Sequence, residues 1–108
     1  MTGSAPAALG IETAALFSHD DDMLAGIKSA SEKTFEAVWH MPLNDEHRAA
    51  IAGRLGGDVN NLGKNRFGGS SQAAAFLEKF VEDERPWAHL DIAGPYNFGE
   101  KETGGFGA

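Results

Sequence analysis

A chain of 108 residues with 42% apolar and 23% charged side chains holds one small domain, or part of one. Its formal charge of -7, with nine scattered basic residues, excludes duplex DNA and an anionic membrane as partners, because a phosphate surface demands a concentrated face of lysine and arginine. There is no cysteine for a disulfide or thiolate metal site, no apolar run near the roughly 20 residues of a membrane span, and no basic n-region in "MTGSAPAALG", so a cytoplasmic location is expected.

In chain order, "SAPAALG" is small, apolar and closed by Gly10, and it reads as a short buried strand or strand end with Pro6 at an edge or irregular position. "SHDD" then offers Ser18 as a helix cap with Asp21 three residues on, and three aspartates complement the helix dipole. Leu24, Ile27, Ser31, Thr34 and Val38 recur at helical spacing while Lys28, Glu32 and Glu36 turn outward, which predicts a helix over 20–38. Pro42 ends that pattern. Asn44, followed by Asp45 and Glu46, starts a two-turn helix to about residue 52, with Ile51 inward and Gly53 beyond its end.

Residues 53–71 are glycine-rich and polar, a longer loop than an ordinary connection needs, with "DVNNL" as a brief extended piece. From Ser71, the residues Ala73, Phe76, Leu77 and Phe80 share one helical face, and Glu78, Lys79 and Glu82 point away. "WAHLDIAG" after Pro86 reads as a strand apolar on both faces, followed by a glycine-rich tail. Two strands joined through helices predict a parallel α/β arrangement that needs neighbours at its edges, as expected for a piece of a larger domain.

The chemical candidates each have a plainer reading. His19 with Asp20, Asp21 and Asp22, and His47 with Asp45 and Glu46, are adjacent residues at helix starts, where capping explains them and where no His-Glu-x-x-His spacing sets two ligands on one face. "GGDVNNLGKN" departs from a phosphate-binding loop in spacing and has Asn65 where a hydroxyl is required. Ser70 and Ser71 precede a helix as caps would, and no Gly-x-Ser-x-Gly elbow occurs. His89 and Asp91, two apart on a strand, face the same side; that fits a joint site, and it fits better a structural role for both.

Taken together, "MTGS" with "ALG", "LFSHDDDM", "EKTFEAVWHMPL", "DVNNLG", "GGSSQAAAFLEKFV" and "PWAHLDIAGP" resemble the C-terminal part of the catalytic domain of the leucyl aminopeptidase (cytosol aminopeptidase) family. The resemblance implies a partial three-layer α/β domain over 1–108, cut at both ends. It also implies an enzyme that releases N-terminal residues, often leucine, from peptides, using two divalent ions (zinc, manganese or magnesium) in a cytoplasmic hexamer. The family's metal-binding lysine and carboxylates precede the matching region, so no catalytic or metal-binding residue is expected in this chain, and alone it should be inactive.

Four substrate contacts carry over from the resemblance. They are the Met1 carbonyl and the Gly3 amide for the substrate main chain, and Ala93 and Tyr96 as walls of the pocket for the N-terminal side chain. Tyr96 is larger and more polar than the family's usual residue there. The remaining expected partner is the rest of the catalytic domain or a companion chain. The rival reading is a structural or assembly subunit that kept the scaffold and lost the chemistry.

Overall fold

The computed structural model describes residues 3–53 and 67–96. Helix α1 (Ser4–Leu9) leads to strand β1 (Ala14–Ser18), and helix α2 (Asp21–Thr34) crosses to β2 (Val38–His40). Helices α3 (Asp45–Ala50) and α4 (Gly69–Glu78) follow, and β3 (Ala88–Asp91) returns to the sheet. The sheet order is β2-β1-β3, with β2 parallel and β3 antiparallel to the central strand. The predicted α/β class holds; the all-parallel arrangement does not. The β1-α2-β2 crossover makes a parallel pair, whereas β3 arrives after two further helices, a connection that leaves its direction free.

The expected strand at "SAPAALG" is a helix. Its alanines are the strongest helix formers, and Pro6 lies in the first turn, where a backbone N–H has no helical partner to lose. Gly10 ends it at φ 78°, a conformation that glycine adopts freely. The strand is β1 instead, all five residues of which are buried. Full burial of Leu16 and Phe17 is worth roughly 2–3 kcal/mol each.

Helix α2 starts as its acidic first turn implies, but the cap is Asp20, whose carboxylate accepts from the Met23 N–H at 2.7 Å. Ser18, the expected cap, accepts from the Asp20 N–H and donates to the Trp87 carbonyl, so it ties β1 to the approach of β3. The helix stops at Thr34 rather than residue 38. Phe35 turns left-handed at φ 60° and Ser31 Oγ donates to the Glu36 carbonyl, which frees Val38 to pair with Ala14. Tertiary strand pairing overrides the helical spacing here. Helix α3 follows the expectation closely: Asn44 and His47 form a reciprocal capping box, and Ile51 is fully buried.

In α4 the buried set is Ser70 through Ala75, while Phe80 is 71% exposed, so the expected Phe76–Leu77–Phe80 inner face is corrected. Ser70 and Ser71 lie within the helix, which Gly68 caps from a left-handed conformation, so they are not caps. The reason is space. Helix α4 passes so close to α1 that a Cβ on Gly69 would stand 2.6 Å from Ser4 Oγ, and the start of the helix, rather than Phe80 at its far end, is the part that is buried. One face of β1 (Ala15, Phe17) packs with Ala5 of α1 and Ala74 of α4, joined by Leu9, Met41, Leu43 and Trp87. Helix α2, which packs on β1 and β2 but takes no part in that cluster, covers the other face.

Strand β3 lies at an edge and only its last residue, Asp91, is buried; its other residues are half-buried, not sealed on both faces as expected. Among the described residues, no strand pairs with its outer edge. Met1 and "DVNNL" lie outside the described residues.

Candidate functional site

The structure gathers two of the four expected contact residues into one turn. After β3 the chain closes a turn in which the Tyr96 N–H donates to the Ile92 carbonyl at 2.9 Å, so Ala93 and Tyr96 stand three residues apart on a single hydrogen-bonded loop. Tyr96 is 65% exposed there. Asp91 Oδ1 accepts from the Ala93 N–H at 3.1 Å and fixes how the turn leaves the strand. Gly94 lies against the junction of α1 and β1, where a Cβ would come 2.7 Å from the Gly10 carbonyl oxygen.

Gly3 caps the opposite end of α1. At 1.5 Å per residue, the helix separates Gly3 from Gly10 by roughly 10 Å. Helix α1 therefore relates the Gly3 backbone to the Ala93–Tyr96 turn, which are distant in sequence. Met1 is outside the described residues.

His89 and Asp91 do share one side of β3, as their spacing requires, but they do not form a reactive pair. His89 is stacked on Phe17 with ring centres 5.8 Å apart and on Trp87 at 6.4 Å, and His19 also stacks on Trp87 at 6.4 Å. Burial pushes the His89 imidazole below its ordinary pKa, opposed by the nearby Asp91 carboxylate. Its buried Nε2 and the buried Oδ2 of Asp91 have no hydrogen-bond partner among the described residues.

The other polar cluster has no signature in the sequence. Glu78, on α4, accepts from Arg48 Nε and Nη2 and lies 3.1 Å from His19 Nδ1, so it joins α3, α4 and the end of β1. The Arg48 hydrogen bonds hold the Glu78 carboxyl below its ordinary range and outweigh the opposing effect of burial. Thirty residues separate Arg48 from Glu78, and no spacing rule connects them. Beside this cluster lies an open groove of about 240 Å³ lined also by Glu82, Asp83 and Glu84.

Among the described residues, no group of three or more His, Asp and Glu side chains converges as a metal ion requires. No helix of the described residues is long and apolar enough to cross a membrane.

The model of the cytosol aminopeptidase family, catalytic domain, matches residues 1–108. The chain belongs to this family. It is 45% identical over 108 residues to a probable cytosol aminopeptidase of Chloroherpeton thalassium, and 46% identical over 110 residues to that of Chlorobium phaeobacteroides. In each case nearly all of the chain is covered, 100% and 99%, but only 21% and 22% of the relative, so the chain spans about a fifth of the length of these aminopeptidases. Among solved structures, the bottromycin maturation enzyme BotP in complex with Mn superposes with a TM-score of 0.86 at 38% identity, over 99% of this chain and 24% of BotP. A tomato leucine aminopeptidase mutant, K354E, matches with a TM-score of 0.81 at 33% identity, over 87% of this chain and 18% of the tomato chain. The family is one of hydrolases acting on peptides.

Proposed function

We propose that this chain is the substrate-side part of the catalytic domain of a two-metal aminopeptidase, which releases N-terminal residues, often leucine, from peptides in the cytoplasm, as a hexamer. The observation that carries the reading is the turn after β3. Ala93 and Tyr96 share one hydrogen-bonded loop, and that loop packs against the helix whose first turn follows Gly3.

In this reading the backbone of Met1 and Gly3 holds the substrate main chain, and Ala93 and Tyr96 wall the side-chain pocket. On the family resemblance, the ligands for two divalent ions (zinc, manganese or magnesium) come from polypeptide outside this chain, in the same molecule or a companion. No chemical step is assigned to the residues of this chain. What they do is bind, orient and shape.

Intact-mass analysis of the native source protein, paired with a leucine-anilide assay in added manganese, tests the reading. It expects a longer polypeptide or a companion chain bearing the ligands, activity in that assembly and none in the pure 108-residue chain. Turnover by the pure chain would refute the division of labour. A native 108-residue product in a complex without such ligands would leave the structural-subunit reading in its place.

A further inference from the structure

The turn after β3 owes its place to two residues that are not themselves expected to touch the substrate. Asp91 is buried at the last position of β3, and one of its oxygens is committed to the Ala93 N–H. Gly94 is not among the residues with positive φ, so its backbone would accept an L side chain; it is the space that would not. A Cβ there would meet the Gly10 carbonyl oxygen at 2.7 Å and Ile11 Cα at 3.3 Å, both backbone atoms. Gly10 is itself held at φ 78° and ψ -168°, a conformation essentially reserved for glycine, so the obstacle does not rotate away as a side chain would. The carboxylate sets the angle at which the turn leaves the sheet, and the glycine sets how near it comes to α1.

From this we infer that Asp91 and Gly94 are positioning residues for substrate selection: they fix the separation between the Ala93–Tyr96 wall and the helix that follows Gly3, and so the size of N-terminal side chain the enzyme prefers. The inference rests on the reading of Ala93 and Tyr96 as pocket walls, and it predicts a change in selectivity rather than a uniform loss. A wall that contacts the side chain in ground and transition states alike alters KM more than kcat.

The test uses the complete manganese-loaded enzyme with leucine, alanine and phenylalanine anilides, comparing wild type with Asp91→Ala, Asp91→Asn, Asp91→Glu, Gly94→Ala and Tyr96→Ala. Asp91→Ala and Gly94→Ala should each shift the leucine-to-alanine ratio of kcat/KM by about tenfold, carried mainly by KM. Asp91→Asn keeps an oxygen that can accept from the Ala93 N–H and should retain a near wild-type ratio. If Gly94→Ala does not fold, Asp91→Ala and Asp91→Glu decide, because the longer carboxylate displaces the Ala93 N–H without removing its acceptor. Equal loss on all three anilides with unchanged ratios, or an Asn variant as altered in ratio as the Ala variant, would overturn the inference. A ratio moved by Tyr96→Ala but not by the Asp91 or Gly94 changes defeats this inference alone. A wild-type enzyme without anilide turnover, or a ratio that Tyr96→Ala leaves in place, defeats the underlying reading and this inference with it.

Discussion

Glu78 grips Arg48 with both carboxylate oxygens: Arg48 Nε donates to Oε2 at 2.6 Å and Nη2 to Oε1 at 2.9 Å. The pair is largely shielded, with side chains 27% and 15% exposed, and it is the polar bolt between α3 and α4. A planar guanidinium fork makes both bonds from two nitrogens in one fixed geometry, which the single nitrogen of an ammonium does not reproduce. Arg48→Lys should therefore lower stability by about 1 kcal/mol despite keeping the charge. Equal urea midpoints for Arg48→Lys and wild type would show that charge alone suffices.

The pH dependence has two windows. The folded-state pKa of His89 is depressed by burial, so below its ordinary value of 6.5 the unfolded chain binds a proton that the folded chain resists. Stability is full above that value and falls as the pH drops from it towards the folded value. Glu78 acts lower: its contribution is present above its ordinary value of 4.5 and is lost as the pH falls through its lower folded value. His89→Phe keeps ring packing against Phe17 and Trp87 but cannot titrate. Its unfolding midpoint relative to wild type should be higher at pH 5.5 than at pH 8, and a pH-independent difference would contradict the assignment.

The two close-packed glycines should respond differently to the same change. Gly69→Ala meets Ser4 Oγ, a hydroxyl free to rotate, and gains helix propensity, so its effect should stay within about 0.5 kcal/mol. Gly94→Ala meets backbone and should cost about 1–3 kcal/mol. Denaturation midpoints of the two variants check the order, and a larger loss for Gly69→Ala would reverse the account.

Exposed aromatic surface predicts association of the isolated chain. Trp39 is 64% exposed on edge strand β2, beside an open groove of about 410 Å³, and Phe35 is 94% exposed. A short edge strand carrying a bulky apolar side chain is a pairing hazard that a lysine blunts. Sedimentation should show the 108-residue chain as oligomers and Trp39→Lys as less associated. A wild-type monomer with one sharp thermal transition would count against this expectation.

If Tyr96 walls the pocket, its truncation makes room. Tyr96→Ala should favour a phenylalanine anilide over an alanine anilide by about tenfold in kcat/KM relative to wild type. An unchanged preference would place the tyrosine outside the pocket.

Legibility in the sequence followed the range of the forces involved. The starts of α2 and α3 and the burial of Ile51 were readable because capping and helical spacing act over a few residues, as at Asn44 and His47. Helix α1 is not legible because its small apolar residues suit strand and helix alike, and the position of Pro6 within a first turn decides between them only once the helix start is known. The end of α2 and the buried face of α4 were set by partners far away in sequence: β1 pairing with Val38, and α1 crowding Gly69. Of the candidate site, the shared side of His89 and Asp91 follows from strand alternation. That Asp91 reaches the Ala93 N–H, and that Gly94 abuts Gly10, needed the fold.

The direction of β3 decides which parts of the chain become neighbours. Because β3 runs against β1, pairing Asp91 with Ala15 and Ala88 with Ser18, its exit lies where β1 begins and its entry where β1 ends. A parallel β3 would have delivered Ala93 beside the start of α2, the length of a five-residue strand away, roughly 17 Å from the α1–β1 junction. Reversing one edge strand is thus what folds Gly10 and Gly94, far apart in amino-acid order, into a single neighbourhood, a proximity created by topology with no contact along the sequence.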